Sequence, residues 1–183
     1  MRFFVLSIII SYKMIKKISL EPLSEYQVEQ CKLFSQHSFS TSTAKYSERN
    51  QNDIQKIQTD IFFGKTAEFM VYNYLNQKQK NPTTPDLNIY SATKKSFDAD
   101  ISTENAKIHV KSHKVNNNFP VSWVFQKSDP LITHKDENNY LALVVLDYIN
   151  YMYIININDA VFKEPLKESL KNNKVCIYEK DLI

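Results

Sequence analysis

The chain has 183 residues, enough for one domain with a substantial core, and its 43% hydrophobic and 23% charged residues exclude disorder, collagen-like repeats and a membrane bundle. Its single glycine, Gly64, excludes the glycine-rich loops of dinucleotide-binding folds and P-loop enzymes, because each loop needs several glycines near phosphate. The net charge of +3 permits a basic face toward a polyanion without requiring one.

The N-terminal residues 1–20 contain an apolar run over 3–10 that is too short to span a bilayer and has no small-residue cleavage site after it. We interpret this segment as a buried strand, or as a leader before a start at Met14, and expect a cytoplasmic protein without membrane contact. Cys31 and Cys176 lie far apart and outside any metal-binding spacing, so both are predicted to be reduced core residues.

Two helices are predicted next. Ser24 and Gln27 fit a capping box, which predicts a helix over 24–35, and the Ser- and Thr-rich stretch 35–47 should be a loop. A longer helical pattern runs from Glu48 to just before Asn81. Its apolar stripe comprises Ile54, Ile57, Ile61, Phe69, Tyr72 and Leu75.

The rest of the chain alternates between apolar and polar residues, which is typical of strands. The segment 121–127 is aromatic-rich and ambiguous, 161–170 is predicted as a short helix, and 140–146 is apolar enough to be buried on both faces. Strands are predicted over residues 97–101, 108–113, 140–146, 151–157 and 175–178. The order of elements indicates a single α/β domain spanning 1–183.

Glu68 interrupts the apolar stripe of the second helix, between Gly64 and Tyr72. Carboxylates rarely lie unpaired on a core-facing stripe. Two interpretations remain open: Glu68 supports a functional site, or it lies at the edge of the stripe and pairs with a lysine.

Polar residues share one face of the predicted hairpin over 97–113. Asp98 and Asp100 project from the same side of its first strand, and His109, Lys111 and His113 project from one side of its second. An ordinary half-exposed hairpin has the same pattern, with cross-strand pairs contributing about 0.2 to 1 kcal/mol. Together with Glu68, however, these residues can build a divalent-metal phosphodiesterase site.

Three segments, Gly64-Lys65-Thr66-Ala67-Glu68-Phe69, Ala99-Asp100-Ile101 and His109-Val110-Lys111-Ser112, resemble the ordered motifs of the PD-(D/E)XK nucleases. The resemblance covers about residues 48–147 and implies a restriction-endonuclease-like fold, a mixed β-sheet flanked by α-helices. It implies that Asp100 binds the metal, that Lys111 is the lysine of the final half-motif, and that Glu68 supports the site through water.

Two positions depart from the family pattern: Ala99 replaces a proline, and His109 stands where the family has Asp or Glu. Magnesium prefers oxygen ligands, whereas imidazole suits softer metals. Either His109 is a ligand and Mn²⁺ is preferred over Mg²⁺, or Asp98 provides the second carboxylate while His109 positions water or phosphate.

Several further residues are candidates for contacts with nucleic acid. They are Arg49, Gln51, His113, Gln126 and Lys127. A solvated helix start is the more common explanation for Arg49 and Gln51, and a solvated strand end is the more common explanation for His113. Trp123 and Phe125, which neighbour Gln126, are expected in the core.

The sequence therefore predicts a metal-dependent endodeoxyribonuclease of restriction-enzyme or phage DNA-degrading type, using Mg²⁺ or Mn²⁺. The wealth of Asn, Lys, Ile and Tyr is typical of an AT-rich bacterial or phage genome. DNA is the expected partner, and cutting both strands favours a symmetric homodimer. The alternatives are a non-catalytic nucleic-acid-binding module on the same scaffold and an RNA-directed nuclease.

Overall fold

The computed structural model describes residues 15–47, 53–90, 98–116 and 118–183. Within these ranges the helices are α1 (Glu25–Ser47), α2 (Ile54–Gln77) and the short α3 (Pro130–Thr133). The strands are β1 (Ile18–Ser19), β2 (Ile101–Ser102), β3 (Lys107–Lys114), β4 (Ser122–Gln126), β5 (Asn139–Leu146), β6 (Tyr151–Asn156) and β7 (Lys174–Tyr178).

Five of the strands form a mixed sheet in the order β1-β6-β5-β3-β2. β3 and β5 are parallel, in register from Lys107 opposite Asn139 to Lys114 opposite Leu146, and the other pairs are antiparallel. Parallel neighbours need a crossover connection. Here the crossover contains β4 and α3, and β4 pairs with β7 in a separate two-stranded sheet.

The five-stranded sheet is the middle one of three layers. Alternate residues of β5 face opposite sides: Ala142 and Val144 belong to a core with α2, and Leu141 and Leu143 belong to a core with β4 and β7. From Leu141 to Leu146 every residue of β5 is buried, which confirms the predicted burial on both faces. The α/β class is thus confirmed, with the long helices on one face and the two-stranded sheet on the other.

The helix α1 is longer than predicted, and the expected loop over 35–47 is wrong. The α1 helix continues to Ser47, packs along α2, and buries Ser35 and Ser38. Ser35 satisfies its hydroxyl by donating to the Lys32 carbonyl at 2.8 Å. Packing between the helices therefore overrides the low helix propensity of the serine- and threonine-rich sequence.

The helix α2 begins at Ile54, because the Asp53 carboxylate accepts a hydrogen bond from the Lys56 N–H and caps the first turn. Its predicted start at Glu48 lies outside the described residues. Ile57 and Leu75 of the predicted stripe are buried, whereas Ile54 is exposed. After the helix ends, Gln79 and Asn81 take positive φ angles of 55° and 46°, which turn the chain away.

One strand prediction and one helix prediction need correction. Of the predicted strand over 97–101, Phe97 lies outside the described residues, and only Ile101 belongs to a strand, β2, since the chain bends at Asp98 and Asp100. The predicted helix over 161–170 is wrong: Lys163 forms a β-bridge with Cys176, and Pro165 has no N–H for a helical hydrogen bond. Only a 3₁₀ turn, Glu168–Leu170, forms there. The ambiguous segment 121–127 contains strand β4.

At the N-terminal end, Ile18 and Ser19 pair with Met152 and Tyr151 of β6 and form the two-residue strand β1. The apolar run over 3–10, interpreted as a buried strand, lies outside the described residues. The proposed leader over 1–13 lies outside the described residues. No helix in the described part of the chain is both long and apolar enough to cross a membrane.

Candidate functional site

A pocket of about 790 Å³ lies between β3 of the central sheet and the β4 and α3 segment of the crossover. Most of the residues that line it are polar or charged, and they come from both sheets. The lining residues are Asp98, Ala99, Asp100, Ser102, Lys107, His109, Lys111, Val124, Phe125, Gln126, Asp129, Pro130, Leu131, His134, Asn139 and Lys174. The predicted residues Asp98, Asp100, His109 and Lys111 are therefore together in one pocket.

The strand β3 presents three of its odd-numbered residues to this pocket. Lys107, His109 and Lys111 all line it, whereas Ile108 and Val110 pack into the core beside α2. Lys111 Nζ lies 5.5 Å from the centroid of the Phe125 ring on β4. Because a cation is attracted to the face of an aromatic ring, this contact holds the ammonium at the pocket wall.

Asp100 has a structural contact as well as a place in the pocket. Its Oδ2 accepts a hydrogen bond of 2.7 Å from the Val110 N–H of β3. β2 pairs with β3 only at Ile108 and Lys107. Beyond that point, the Asp100 side chain provides the hydrogen-bond acceptor that a paired strand would otherwise provide to β3. The hydrogen bond fixes the carboxylate next to β3.

His109 is partly buried, and its Nε2 lies 3.4 Å from Oδ1 of Asn139 on β5. Burial lowers the pKa of the imidazole, although the nearby Asp100 acts in the opposite direction. The lowered pKa favours the neutral form of the ring at pH 7. A neutral imidazole has a lone pair with which it can bind a metal or accept a proton.

Glu68 does not line the pocket. Its Oε2 lies 2.6 Å from Lys65 Nζ, both side chains are largely buried, and Lys65 also donates to the Asp86 carbonyl at 2.8 Å. The pKa of Glu68 is raised to about 7, first by burial and also by the negative charge of Asp100, against the attraction of Lys65. The lysine-paired arrangement considered for Glu68 is therefore present, and its link to the pocket is the electrostatic effect of Asp100.

The other predicted nucleic-acid contacts are dispersed. Gln126 lines the pocket, whereas Lys127 donates from Nζ to the Lys171 carbonyl at 2.7 Å. His113 lies outside the pocket lining, and its Nδ1 is 2.8 Å from the Ser122 carbonyl while Nε2 is buried without a partner. Burial lowers the pKa of His113. Arg49 and Gln51 lie outside the described residues.

The pocket also contains residues that the sequence analysis missed. Lys107 shares the parity of His109 and Lys111, so alternation could have identified it. Asp129 caps α3 by accepting from the Leu131 N–H at 3.0 Å, and an Asp before Pro130 is a recognisable helix start. No local sequence pattern identifies His134 or Lys174 as pocket residues, because they lie on segments that are distant along the chain from β3.

Asp98, Asp100 and His109, which all line the pocket, carry carboxylate and imidazole groups that can act as metal ligands. This chemistry fits Mg²⁺ or, with the imidazole, Mn²⁺. In the described ranges, no three His, Cys, Asp or Glu side chains are grouped closely enough to form a ready-made metal site.

Comparisons of the chain with protein-family models, curated proteins and solved structures find no match.

Proposed function

We propose that the protein is a metal-dependent endodeoxyribonuclease whose active site is this pocket. The observation that carries the proposal is that Asp100, His109 and Lys111 line one pocket, Asp100 from the bend directly before β2 and the other two from β3. A carboxylate, a neutral imidazole and an ammonium in one place supply the three requirements of phosphodiester hydrolysis: metal ligands, a proton acceptor and a positive charge for the phosphate.

The restriction-endonuclease-like fold is part of the proposal. The order along the chain supports it: α2 with Glu68 comes first, then β2 beside Asp100, then β3 with Lys111, and β5 runs parallel to β3 after the crossover. We propose DNA as the substrate and a homodimer where both strands are cut.

Asp100 and Asp98 would hold the metal, with His109 as a further ligand. When bound, Mg²⁺ or Mn²⁺ supplies positive charge to the phosphate and lowers the pKa of a bound water.

The residues of the chain perform the remaining tasks. Lys111 neutralises negative charge that develops on the phosphate oxygens, and a lysine suits this role as a compact point charge. Asn139 orients the His109 ring, and the Val110 N–H holds Asp100 in place. β4 covers the pocket and brings Phe125 against Lys111, which limits the motion of its long side chain.

The test is incubation of the purified protein with plasmid, linear duplex and single-stranded DNA, and with RNA, in Mg²⁺, Mn²⁺ or EDTA. We expect DNA cleavage in the metals and none in EDTA. Lys111→Ala should reduce the rate by about 100- to 1000-fold, because one transition-state charge contact is lost.

The matched control is Lys114→Ala. Lys114 is on the same strand and also lies over an aromatic ring, Phe63, at 5.7 Å, but it does not line the pocket. The Lys114→Ala variant should cleave DNA at the wild-type rate. If the protein binds DNA but does not cleave it in any metal, the proposal is wrong and the protein is a non-catalytic binding module. If it cleaves RNA alone, it is the RNA-directed nuclease.

A further inference from the structure

Two lysines besides Lys111 line the pocket, and they come from different sheets. Lys107 is the first residue of β3 and is exposed, on the same face as His109 and Lys111. Lys174 is the first residue of β7 and is partly buried. Lysines therefore line the pocket on both the central sheet and the opposing two-stranded sheet, beside the carboxylates Asp98, Asp100 and Asp129.

Each of these lysines has a carboxamide beside it on the neighbouring strand. Lys107 is opposite Asn139 in the parallel ladder, and Lys174 is opposite Gln126 in the antiparallel ladder. Both amides also line the pocket. Directly opposed side chains of an antiparallel pair have Cβ atoms about 5 Å apart, so the groups of such a pair can reach the same ligand. Both walls thus present the same combination, an ammonium and an amide.

This combination fits phosphate. Ammonium and amide N–H groups donate hydrogen bonds to phosphate oxygens, and such contacts position a nucleic-acid backbone without reading its sequence. Alternate residues of a strand lie about 6.6 Å apart, so Lys107 and Lys111 are separated by about 13 Å along β3. A pocket of about 790 Å³ with charges this far apart suits a backbone with several phosphates better than one phosphate ion.

Among the described residues that line the pocket there is no arginine, the side chain most often used to read guanine. Phe125 is only 2% exposed, so its ring face cannot serve as a stacking platform for a base. Lysine acts on phosphate as a point charge, independent of sequence.

We propose that Lys107 and Lys174 bind the sugar-phosphate backbone on the two walls of the pocket, so that nucleic acid is held through its phosphates and without sequence specificity. This inference rests on the proposed nuclease function. It identifies two positioning residues, and it makes the substrate class DNA of any sequence.

The experiment measures binding in EDTA, where the proposed hydrolysis cannot occur. Fluorescence anisotropy with labelled duplexes of equal length, one AT-rich and one GC-rich, is recorded for the wild type over a range of NaCl concentrations. The variants are Lys107→Ala and Lys174→Ala. Lys32→Ala is the control, because it removes the same charge from α1, on the other side of the molecule. Circular dichroism checks that each variant is folded.

We expect each pocket variant to weaken binding of both duplexes by about tenfold and to reduce the slope of log K against log salt by about 0.9, the value for one lost phosphate contact. The control should match the wild type. Affinities for the two duplexes should agree within about twofold, since phosphate contacts ignore sequence.

The inference is overturned if both pocket variants keep the salt slope of the wild type. It is also overturned if the wild type strongly prefers one of the two duplexes, or if it does not bind DNA without metal. These results are separate from cleavage. If the wild type cleaves DNA but the salt slopes of the two lysine variants are unchanged, the nuclease function stands and only the two lysine contacts are wrong. If the salt slopes are reduced but no DNA is cleaved, the lysine contacts stand and the nuclease function is wrong.

Discussion

At the scale of single residues, Asp100 combines two tasks in one carboxylate. One oxygen satisfies the Val110 N–H where strand pairing ends, and the side chain also lines the pocket. The two tasks can be separated by substitution, because an asparagine amide oxygen can accept the same hydrogen bond without carrying a charge.

We therefore predict that Asp100→Asn abolishes metal-dependent cleavage and keeps the wild-type stability within about 1 kcal/mol, while Asp100→Ala also loses about 1 to 3 kcal/mol because the Val110 N–H is left unsatisfied. Urea unfolding and plasmid cleavage of both variants check this. If the two variants are equally stable, the hydrogen bond is not structural, and if Asp100→Asn still cleaves, the carboxylate charge is not needed.

His109 raises a separate question about metal preference. A neutral imidazole is a better ligand for Mn²⁺ than for Mg²⁺, which prefers oxygen. We predict that the wild type is more active in Mn²⁺, and that His109→Asp shifts the preference toward Mg²⁺. Metal titrations of the cleavage rate measure both effects.

Asp98→Asn is the comparison for His109. If His109 is the ligand, this variant should keep the preference for Mn²⁺. An inactive Asp98→Asn together with an unchanged preference in His109→Asp would instead assign the second ligand to Asp98.

The candidate site was partly predictable from these residues. Alternation along one strand depends only on local geometry, so the shared orientation of His109 and Lys111 followed from the sequence. The same rule placed His113 on that face, but its ring contacts the Ser122 carbonyl instead of the pocket. That contact depends on where β4 lies, which no local pattern determines.

At the scale of elements, α2 contains a buried ion pair that is sensitive to pH. Lys65 and Glu68 are three residues apart on one helical face, and Lys65 Nζ also lies 4.6 Å from the centroid of the Phe34 ring of α1. The pair therefore sits where α1 and α2 meet. Taking charges out of water is costly, and burial raises the pKa of Glu68 from 4.5 to about 7 for this reason.

The sign of the pH dependence follows from this shift. A carboxyl group with a raised pKa in the folded state favours folding below its unfolded pKa, and this contribution is lost as pH rises toward about 7. We predict that, between about pH 5 and pH 8, the wild type loses about 2 kcal/mol of unfolding free energy relative to Glu68→Gln. Urea unfolding at both pH values measures the difference.

Asp60→Asn is the matched control for Glu68→Gln. Asp60 also pairs with a lysine on α2, Lys56 at 3.2 Å, but this pair is exposed. The Asp60→Asn substitution should leave the pH dependence of the unfolding free energy as it is in the wild type. Equal pH dependence in the wild type and Glu68→Gln would contradict a buried charge. Loss of cleavage in Glu68→Gln at unchanged stability would assign Glu68 to the active site as well.

The extent of α1 shows why elements were only partly predictable. The capping box at Ser24 was correct, since the Gln27 N–H donates to Ser24 Oγ at 3.2 Å. The end of the helix was not, because Ser35 and Ser38 have low helix propensity and are nevertheless buried in a helix that packs along α2. In the same way, Pro165 and the bridge of Lys163 with Cys176 replaced a predicted helix through contacts with distant β7.

At the scale of the whole molecule, the crossover between β3 and β5 creates the pocket. The hydrophobic runs of β5 and β6 predicted a central sheet correctly, since strands of this kind are recognisable from composition alone. The pairing of β4 with β7 was not predictable, because the two strands are separated by β5 and β6 along the chain. That pairing brings Gln126 and Lys174 together and forms the second wall.

Trp123 connects the two sheets directly. Its indole N–H donates to the Val144 carbonyl of β5 at 3.0 Å, its ring is 1% exposed, and it packs edge-on against Tyr153 of β6. It is also the single tryptophan of the chain and lies on the strand that carries Phe125 and Gln126 into the pocket. Its emission spectrum is therefore an intrinsic optical reporter of whether the two walls are together: a blue-shifted maximum in the native protein that moves to longer wavelength when β4 separates from β5.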